Sequence, residues 1–499
     1  MRQKSIKIVK AILAIDQGTT STRAIVFSIS GKKLFSSQLE IKQHFPKNGW
    51  VEHNPNEIWL KTLKVIKNVS KKCTKKKIKI LTIGITNQRE TTVLWDKTNG
   101  KPVYNAIVWQ DRRTEDFCNR LKINNKESII RKKTGLFLDP YFSATKARWI
   151  INNIPKAKKL IKEKKLLFGT IDTFLIWKLT NGKVHATDAT NASRTMLFNI
   201  NNNKWDNEIL KLFGISKNIL PEVKNSADDF GATNKSIIGR SIPINGVVGD
   251  QQAATIGQCC FSTGSVKSTY GTGAFVIMNT GSKKIFSKNK LLTTICYRIN
   301  NKTTYALEGS IFVAGAGVQW IRDKLKLINN AYLTEKIAKS RKSNNGVYLV
   351  PAFTGLGAPY WSPNSRGVLS GLTRNTDWKD IVRAVLESVA YQSFDLLKAM
   401  NRDGLRPSIV KVDGGMVSNN WFSQFLSDIL GIKVTRSKIY ETTALGAAFM
   451  AGLYIKEFNS LKSISKIWKI DKRFNPKINK SSRIKLLKGW EQAIKKTLI

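Results

Sequence analysis

A turn near the N-terminus gathers residue types that can bind a phosphate. Residues 16–21 (DQGTTS) follow an apolar segment, and Arg23 comes two residues later. Hydroxyls and backbone N–H groups in such a turn can surround a phosphate, and the Asp16 carboxylate can hold Mg²⁺ directly or through water. Gly-Thr-Thr is also ordinary hairpin chemistry, so this turn alone leaves a phosphate site and a plain turn both open.

A second turn of similar chemistry lies in the other half of the chain. Residues 271–273 (GTG), with Thr272 at the centre, separate two apolar segments. Two such turns facing each other could clamp two adjacent phosphoryl groups. The commoner nucleotide motifs are absent from the sequence, since no G-x-x-x-x-G-K-[ST] and no complete G-x-G-x-x-G occur. P-loop and Rossmann sites are therefore disfavoured.

Three charged residues follow apolar segments at other places in the chain. Arg89 and Glu90 are adjacent, and Asp250 follows residues 247–249 (VVG). A cation and two carboxylates can donate to and accept from vicinal hydroxyls, and an aromatic wall would exclude water. Three aromatic residues are available for this wall: Trp109, Tyr141 and Phe275. Two plainer interpretations stay open, namely that Arg89 and Glu90 are exposed charges and that Trp109 belongs to a core.

The histidines and cysteines show no metal-site pattern. His44, His53 and His185 share no metal-ligand spacing, so we expect neither a histidine-bound metal nor a histidine base. The five cysteines are odd in number and contain no C-x-x-C pair. This favours a reducing compartment without disulfides or zinc, and we expect a cytoplasmic protein.

The chain is strongly basic, with 84 Lys and Arg against 34 Asp and Glu and a formal net charge of +50. Such a charge can serve nucleic-acid binding, because cations that neutralise phosphates release counterions. The lysines, however, are scattered in short runs with Asn and Ile, and no zinc-finger spacing or basic-region heptad accompanies them. We favour compositional drift on solvated faces and expect no specific nucleic-acid partner, while polyanion binding stays the alternative.

The elements that must position these residues alternate between strands and helices. Apolar segments at residues 80–86 and 409–412 end in polar clusters, which is typical of a buried, mostly parallel sheet in an α/β fold. Residues 380–400 keep the i, i+3, i+4 spacing of a helix. Residues 11–15 predict a buried strand rather than a signal peptide, and no apolar run is long enough to span a bilayer.

Two halves of similar length begin with the same kind of unit. Residues 11–15 and 23–27 flank the first turn, and residues 266–270 and 274–278 flank the second. This parallel predicts β-hairpins in a duplicated architecture. We place the boundary in a small-residue stretch, with one domain at residues 1–258 and another at 259–499.

Longer segments resemble the FGGY family of carbohydrate kinases. Both family signatures have counterparts, at residues 141–149 (YFSATKARW) and at residues 367–372 (GVLSGL) continuing to 384–388 (AVLES). Within the family, the chain is similar to the members that phosphorylate glycerol. That similarity is carried by residues 16–23, 84–92 (GITNQRETT), 104–113 (YNAIVWQDRR), 190–199 (TNASRTMLFN), 249–254, 270–273 and 351–361 (PAFTGLGAPYW). It covers nearly the whole chain.

The resemblance implies an actin-like, ribonuclease-H-like fold of two domains that close over ATP and glycerol. It assigns the first phosphate hairpin to Thr19, Thr20, Ser21 and Arg23, and the second to Thr272. It assigns nucleotide contacts to Gly315, Gln319, Gly415 and Asn419, and the glycerol site to Arg89, Glu90, Tyr141, Asp250 and Gln251. None of these positions is substituted relative to the family pattern, so the sequence gives no sign of an inactive kinase.

The implied reaction converts ATP and glycerol into ADP and sn-glycerol 3-phosphate, for glycerol catabolism and lipid supply. We expect Asp250 to act as general base, Mg²⁺ to bind near Asp16 and Asp250, and Arg23 to stabilise the transferring group. A homo-oligomer, either dimer or tetramer, is also implied. The rivals are a pentulose or other sugar kinase of the same fold, and a basic nucleic-acid-binding protein built on a kinase scaffold.

Overall fold

The computed structural model describes residues 9–362 and 364–498, in which helices and strands alternate as the α/β prediction requires. The chain forms two compact units. The first contains the described residues up to Cys259, Thr294–Tyr305 and Glu441–Ile467, and the second contains Cys260–Thr293, Ala306–Tyr440 and the described residues from Trp468 onward. The boundary between residues 258 and 259 stays a prediction, and the compact units themselves are interleaved along the chain.

The strands are numbered in chain order. They are β1 Val9–Gln17, β2 Ser21–Ser28, β3 Lys33–Glu40, β4 Glu52–His53, β5 Ile78–Asn87, β6 Thr92–Asp96, β7 Ala106–Ile107, β8 Leu166–Thr170, β9 Ala186–Asp188, β10 Phe198–Asn199, β11 Lys204–Trp205, β12 Glu222–Lys224, β13 Ile244–Gly249, β14 Val266–Tyr270, β15 Ala274–Gly281, β16 Leu292–Ile299, β17 Lys302–Ile311, β18 Tyr348–Val350, β19 Val368–Ser370, β20 Ile409–Asp413, β21 Lys433–Ser437 and β22 Ile470–Phe474.

The helices are numbered in the same way, and short 3₁₀ turns lie at Lys217–Ile219 and Gly415–Ser418. The α-helices are α1 Pro55–Lys75, α2 Glu115–Ile123, α3 Glu127–Thr134, α4 Ser143–Asn153, α5 Pro155–Lys162, α6 Ile171–Leu179, α7 Ala189–Ala192, α8 Asn207–Phe213, α9 Lys235–Ile238, α10 Asp250–Gly257, α11 Gly315–Asp323, α12 Leu333–Lys339, α13 Trp378–Arg402, α14 Asn420–Leu430, α15 Thr442–Tyr454, α16 Leu461–Ser465 and α17 Lys480–Thr497. No helix among the described residues is long and apolar enough to cross a lipid bilayer.

A five-stranded sheet in the order β13-β5-β1-β2-β3 forms the centre of the first unit. Strands β13, β5 and β1 run parallel, whereas β1 with β2 and β2 with β3 form antiparallel pairs. Because successive side chains alternate between faces, Leu13 packs in a core with Ile58 of α1, while Ile12 points toward Gly452 of α15. Helices α1 and α15 therefore cover opposite faces of the sheet.

Small residues let α15 approach its neighbours closely. A methyl group on Gly84 of β5 would overlap the backbone of Ala447, and one on Gly446 would overlap the carbonyl oxygen of Ala253 in α10. Neither glycine has a positive φ angle, so the close approach explains these residues and backbone strain does not. Since α10 begins at Asp250, its packing on α15 determines where Asp250 lies.

Strands β14, β15, β20, β21 and β22 of the second unit belong to a seven-stranded sheet in the order β16-β17-β15-β14-β20-β21-β22. Strands β14, β20 and β21 are parallel, and β14 with β15 is an antiparallel hairpin. The predicted helix over residues 380–400 is confirmed as α13, which begins with a capping box between Asp377 and Asp380. Its apolar face, including Val389 and Leu396, packs in the core of this unit.

The predicted duplication is confirmed at the level of topology, whereas the predicted mostly parallel sheet is wrong. The order β2-β1-β5-β13 in one unit matches β15-β14-β20-β21 in the other, and each consists of an antiparallel hairpin followed by two parallel strands. Both sheets are mixed because each phosphate-type turn sends the chain straight back beside its own strand. An apolar sequence shows that a strand is buried and does not show its direction.

We predict that Gly446→Ala lowers the free energy of unfolding by roughly 1–3 kcal/mol, because the added methyl group forces α10 and α15 apart. Urea denaturation followed by circular dichroism measures this change. Thr443→Ala, which removes atoms from the same helix, serves as the matched control and should have a smaller effect. Equal denaturation midpoints for Gly446→Ala and the unmodified protein would contradict the packing argument.

Candidate active site

Three parallel strands of the first unit end at the same edge of the sheet. Gln17 and Gly249 are each in register with Asn87. The next residue in each case begins a chemistry-bearing segment: the first turn at Gly18, the Arg89–Glu90 segment at Gln88, and α10 at Asp250. The prediction that these groups gather at strand ends is confirmed within this unit, for the physical reason that parallel strands place their carboxyl ends side by side.

Arg89 and Glu90 are buried, with 2% of each side chain exposed, so the interpretation as exposed surface charges is wrong. Arg89 Nε lies 3.2 Å from Asp250 Oδ1 and 3.6 Å from Glu90 Oε1. The guanidinium also donates to Gln252 Oε1 at 3.3 Å and to the Tyr141 hydroxyl at 3.1 Å. The Asp250 side chain keeps 28% of its area exposed, which leaves a carboxylate accessible to a substrate.

Arg194 completes this group of charges, and the sequence analysis did not assign it a role. Its Nε donates to Glu90 Oε1 at 2.6 Å, and its side chain is fully buried. Two guanidinium groups and two carboxylates thus share one site, and their formal charges cancel. The signal available in the sequence was a lone cation in a segment of small and apolar residues, residues 190–199, because a cation buried in such a segment needs acceptors from elsewhere in the chain.

Two of the three predicted wall residues meet in the first unit. The rings of Trp109 and Tyr141 pack edge to face with centroids 5.6 Å apart. Trp109 is half-buried, and its Nε1 donates to Thr19 Oγ1 at 2.9 Å. The aromatic wall and the first turn are therefore joined directly. Phe275 lies on β15 in the second unit and is half-buried there.

The position of Tyr141 is determined by bonds to its own backbone segment. Its N–H donates to Asp139 Oδ1 at 2.8 Å. The Lys146 ammonium, wholly buried, donates to the carbonyl oxygens of Pro140 at 2.5 Å, Tyr141 at 2.6 Å and Phe142 at 3.1 Å. Burial lowers the pKa of Lys146 to about 8. Three carbonyl acceptors match the three donors of an ammonium, so this lysine holds the segment in one conformation.

The first turn presents its hydroxyls outward. Gly18 N–H donates to the carbonyl oxygen of Ser21 at 2.9 Å and closes the turn. Thr20 is exposed, and Thr19 and Ser21 are half-buried. The hairpin pairs Asp16 with Arg23 in register, and the two side chains form an ion pair. The turn therefore has accessible hydroxyls beside a carboxylate, as a phosphate and cation site requires.

Asp16 is a buried carboxylate, and its partner Arg23 has a second carboxylate partner that no sequence pattern indicated. Burial raises the pKa of Asp16, and the Arg23 guanidinium opposes that shift. Arg23 also donates to Glu441 Oε2 at 2.8 Å, and Lys33 Nζ lies 3.6 Å from Glu441 Oε1. The cation predicted to stabilise a transferring phosphoryl group is thus held by two carboxylates. Glu441 directly precedes α15, 418 residues after Arg23, and no local pattern connects them.

The residues that could hold Mg²⁺ are the carboxylates Asp16 and Asp250. No group of three or more His, Cys, Asp or Glu suited to a metal ion occurs in the described part of the chain. Mg²⁺ is commonly held by one or two carboxylates together with waters and substrate phosphates, so hard oxygen donors at the edge of a phosphate turn fit this ion.

A buried amide supports the first turn from behind. Gln88 Nε2 contacts Gln17 Oε1 at 3.1 Å, the carbonyl oxygen of Gly18 at 3.2 Å and His53 Nδ1 at 3.3 Å. His53 is fully buried, and this burial lowers its pKa to about 4, so the ring stays neutral near pH 7.

The second unit builds its own turn at the end of β14. Gly271 N–H donates to the Gly273 carbonyl oxygen at 2.9 Å, and Thr272 is exposed. The first residues of α11 are tied to the same turn, because Gly315 N–H donates to the Gly271 oxygen at 2.9 Å and Ala316 N–H to the Thr272 oxygen at 3.0 Å. A methyl group on Gly315 would lie 2.6 Å from that Gly271 oxygen, so glycine is required there.

The other predicted nucleotide residues also lie in the second unit. Gly414 has a φ angle of 96°, and a methyl group on it would overlap the backbone of Tyr270, so only glycine lets β20 end beside β14. The next residue, Gly415, is exposed and has open space on the side where a methyl group would be. Asn419 accepts from Phe422 N–H at 2.9 Å and caps α14, and Gln319 is exposed on α11.

The first unit thus places a pocket of paired charges and aromatic rings next to a turn suited to phosphate. The second unit presents a second turn that is bonded to Gly315 and lies next to Gly414. Such an inventory defines a phosphotransferase for a small polar acceptor, because positioning and charge neutralisation are what phosphoryl transfer requires.

Comparisons with known proteins agree with this class. The model of the N-terminal domain of the FGGY family of carbohydrate kinases matches residues 11–257, and that of its C-terminal domain matches residues 266–454. A glycerol kinase from Alteromonas mediterranea is 56% identical over 484 residues, covering 97% of this chain and 98% of the relative. The chain belongs to the FGGY family of carbohydrate kinases.

Solved structures show the same fold. The crystal structure of Plasmodium falciparum glycerol kinase with ADP has a TM-score of 0.93 and 41% identity, and the match covers 98% of this chain and 99% of that one. A ligand-bound xylulose kinase from Lactobacillus acidophilus has a TM-score of 0.87 and 22% identity, with 98% and 97% coverage. The second likeness shows the fold alone.

Burial of His53 predicts a specific acid sensitivity. Its pKa is about 4 in the folded chain and about 6.5 in the unfolded one, so the unfolded chain binds more protons between these values. The stabilisation from a neutral His53 is complete above pH 6.5 and is lost as the pH falls toward 4.

We therefore expect the free energy of unfolding to fall more between pH 7 and pH 5 in the unmodified protein than in His53→Gln, by about 2 kcal/mol. Urea denaturation at several pH values measures both. Parallel pH dependences for the two proteins would show that His53 is not buried in its neutral form.

Proposed function

We propose that this chain transfers the terminal phosphoryl group of ATP to glycerol and forms ADP and sn-glycerol 3-phosphate. The observation that carries the proposal is the buried group of Arg89, Glu90 and Asp250 under Tyr141, at the strand ends beside the Asp16–Arg23 turn. The 56% identity to a glycerol kinase over nearly the whole chain supports the choice of acceptor.

Glycerol recognition is assigned to donors and acceptors on both sides of a small hydroxylated molecule. Arg89 supplies N–H donors, Glu90 and Asp250 supply acceptors, and Gln251 at the start of α10 adds an amide. Trp109 and Tyr141 form an apolar wall against the carbon chain, and Phe275 is proposed to contact it as well. A polar group buried in such a pocket must find its partner, so a substrate that lacks a matching hydroxyl loses affinity.

Asp250 is proposed as the general base. Its carboxylate begins α10, accepts from the backbone N–H of Gln251 at 2.7 Å and lies 3.2 Å from the Arg89 guanidinium. These bonds orient one oxygen and leave the partly exposed carboxylate able to accept a proton from the attacking hydroxyl. Phosphoryl transfer needs the nucleophile positioned and its proton removed, and one fixed carboxylate performs both tasks.

Nucleotide binding is assigned to the two turns and their neighbours. Thr19, Thr20 and Ser21 are proposed to contact phosphates in the first unit, with Arg23 stabilising the transferring group, and Thr272 to contact phosphates in the second. Gly315, Gln319, Gly415 and Asn419 are proposed to bind the rest of ATP. We assign Mg²⁺ to Asp16 and Asp250, where it would neutralise phosphate charge.

Further properties are proposed on more general grounds. The five cysteines are all buried and form no disulfide with one another, which supports a cytoplasmic location. A homo-oligomer rests on the sequence resemblance. Absence of a specific nucleic-acid partner is supported by the spread of basic residues over unrelated elements, where some form ion pairs, such as Lys10 with Glu457, Lys133 with Glu208 and Lys339 with Glu335.

The acceptor is tested by measuring ADP release with glycerol, dihydroxyacetone and several pentuloses. We expect kcat/KM for glycerol to exceed that for every pentulose by at least roughly 10²-fold, because the pocket must hydrogen-bond each hydroxyl it buries. A higher kcat/KM for a pentulose would replace the proposal by a sugar kinase of the same fold. Absence of turnover with every acceptor, together with duplex DNA binding that resists about 200 mM salt, would favour the nucleic-acid alternative.

Asp250→Asn tests the base. The amide keeps an oxygen for Gln251 N–H and loses the proton acceptor, so we expect kcat to fall roughly 10²–10⁴-fold while nucleotide binding is largely retained. Asp116→Asn, which removes the same charge at an exposed position of α2, serves as the control. Near-normal turnover by Asp250→Asn would exclude Asp250 as the base.

A further inference from the structure

Arg194 lies in segment 188–195, which also forms hydrogen bonds to residues beside Asp250 and Tyr141. The short helix α7 begins at a buried Asp188, whose carboxylate accepts from the backbone N–H groups of Thr190 and Asn191, both at 3.0 Å. Arg194 follows this helix, and its own N–H donates to the Asn191 oxygen at 3.0 Å. The backbone that carries Arg194 is therefore held by hydrogen bonds that do not involve the Arg194 side chain.

The same segment forms hydrogen bonds to the start of α10 and to the first turn of α4. Thr190 Oγ1 accepts from the N–H of Gly249, the residue before Asp250, at 2.8 Å. The carbonyl oxygen of Thr195 accepts from the N–H of Ala144, in the first turn of α4, at 2.8 Å. Segment 188–195 thus lies between the start of α10 and the segment that carries Tyr141.

The Arg194 guanidinium fills a space bounded by one carboxylate and two rings. It donates to Glu90 Oε1 at 2.6 Å, and its central carbon lies 5.4 Å from the Tyr141 ring centroid and 5.2 Å from that of Phe142. A guanidinium stacks on aromatic faces and binds carboxylates in a fixed direction, and a lysine ammonium cannot reproduce both contacts. The side chain has no exposed area, so it does not serve solubility.

Arg194 removes a competition between the two carboxylates. Arg89 Nε lies near both, at 3.2 Å from Asp250 Oδ1 and 3.6 Å from Glu90 Oε1. With Arg194 bound to Glu90 at the shorter distance, Arg89 stays directed toward Asp250 and the Tyr141 hydroxyl. Without Arg194, the buried Glu90 would have Arg89 as its nearest remaining cation in this group, and a buried carboxylate that loses a partner is strongly destabilised.

We propose that Arg194 is a positioning residue for the acceptor: it acts through Glu90, whose carboxylate it orients toward the hydroxylated substrate while leaving Arg89 to Asp250. This inference rests on the proposed function, since it concerns how the same site binds its polyol. Arg194 itself is assigned no contact with the substrate.

The test is a double-mutant cycle on glycerol-dependent ADP release. Arg194→Met keeps the length and apolar packing of the side chain and removes its charge and donors. We expect it to raise KM for glycerol at least roughly tenfold, with kcat reduced less than KM is raised and KM for ATP within about threefold of the unmodified value. In a Glu90→Leu background, the same substitution should change kcat/KM for glycerol less than about threefold, because both the charge and the acceptor oxygens on which Arg194 acts are gone.

Arg383→Met is the matched control. Arg383 Nε also donates to a buried glutamate, Glu387 Oε1, at 2.6 Å, but on α13 in the second unit. Its removal tests the general cost of losing a buried arginine and should leave KM for glycerol within about twofold. If Arg194→Met does not fold, as judged by circular dichroism, Arg194→Lys is measured by the same criteria, since its ammonium cannot reproduce both contacts.

The outcomes separate this inference from the proposed function. An unmodified protein without glycerol-dependent ADP release refutes the function itself. An active protein in which the Arg194 variant keeps the original KM for glycerol refutes only the positioning role. An equal loss in the presence and absence of the Glu90 carboxylate also refutes it, because Arg194 would then act by another route.

Discussion

Burial of opposite charges at one sheet edge is the constraint on which the rest of the first unit depends. Arg89, Glu90 and Arg194 have almost no exposed area, and ionised groups so placed are tolerated only when each has a partner at short distance. The cluster therefore requires three separate segments to arrive together: the end of β5, the start of α10 beside Asp250, and the loop after α7. An error in any one would leave a charge buried without its partner.

The parallel strands meet that requirement by geometry. Because β1, β5 and β13 run in one direction with Gln17, Asn87 and Gly249 in register, the residues that follow them emerge side by side. Small residues let α15 pack closely against this sheet and against α10. This packing fixes the position of α10, the helix that begins with Asp250. The close packing of Gly84 and Gly446 against neighbouring backbone thus helps to determine where the Asp250 carboxylate lies.

The hairpin turns show how one local motif serves two chemical settings. In the first unit, the turn after Gln17 has buried support from Gln88 and a direct bond from Trp109 to Thr19. In the second, the turn around Thr272 is tied to the first residues of α11 instead. The shared topology produces a turn in each unit, and the residues around each turn determine what that turn can bind. Paired charges and aromatic rings beside the first turn and glycines beside the second are consistent with different parts of one phosphoryl-transfer reaction.

The sequence by itself determined the elements, the turns and the identity of most proposed site residues. Apolar strands, the helix at Trp378–Arg402 and the family motifs are local patterns. Each can be recognised from the spacing of nearby residues in one sequence. Only the tertiary structure decided strand direction in the mixed sheets, the burial of Arg89 and Glu90, and the partners Arg194 and Glu441. Glu90 and Arg194 are 104 residues apart, and Arg23 and Glu441 are 418 apart. A charge's partner at such separation depends on how the backbone folds, because electrostatic pairing acts through space and leaves no spacing in the sequence.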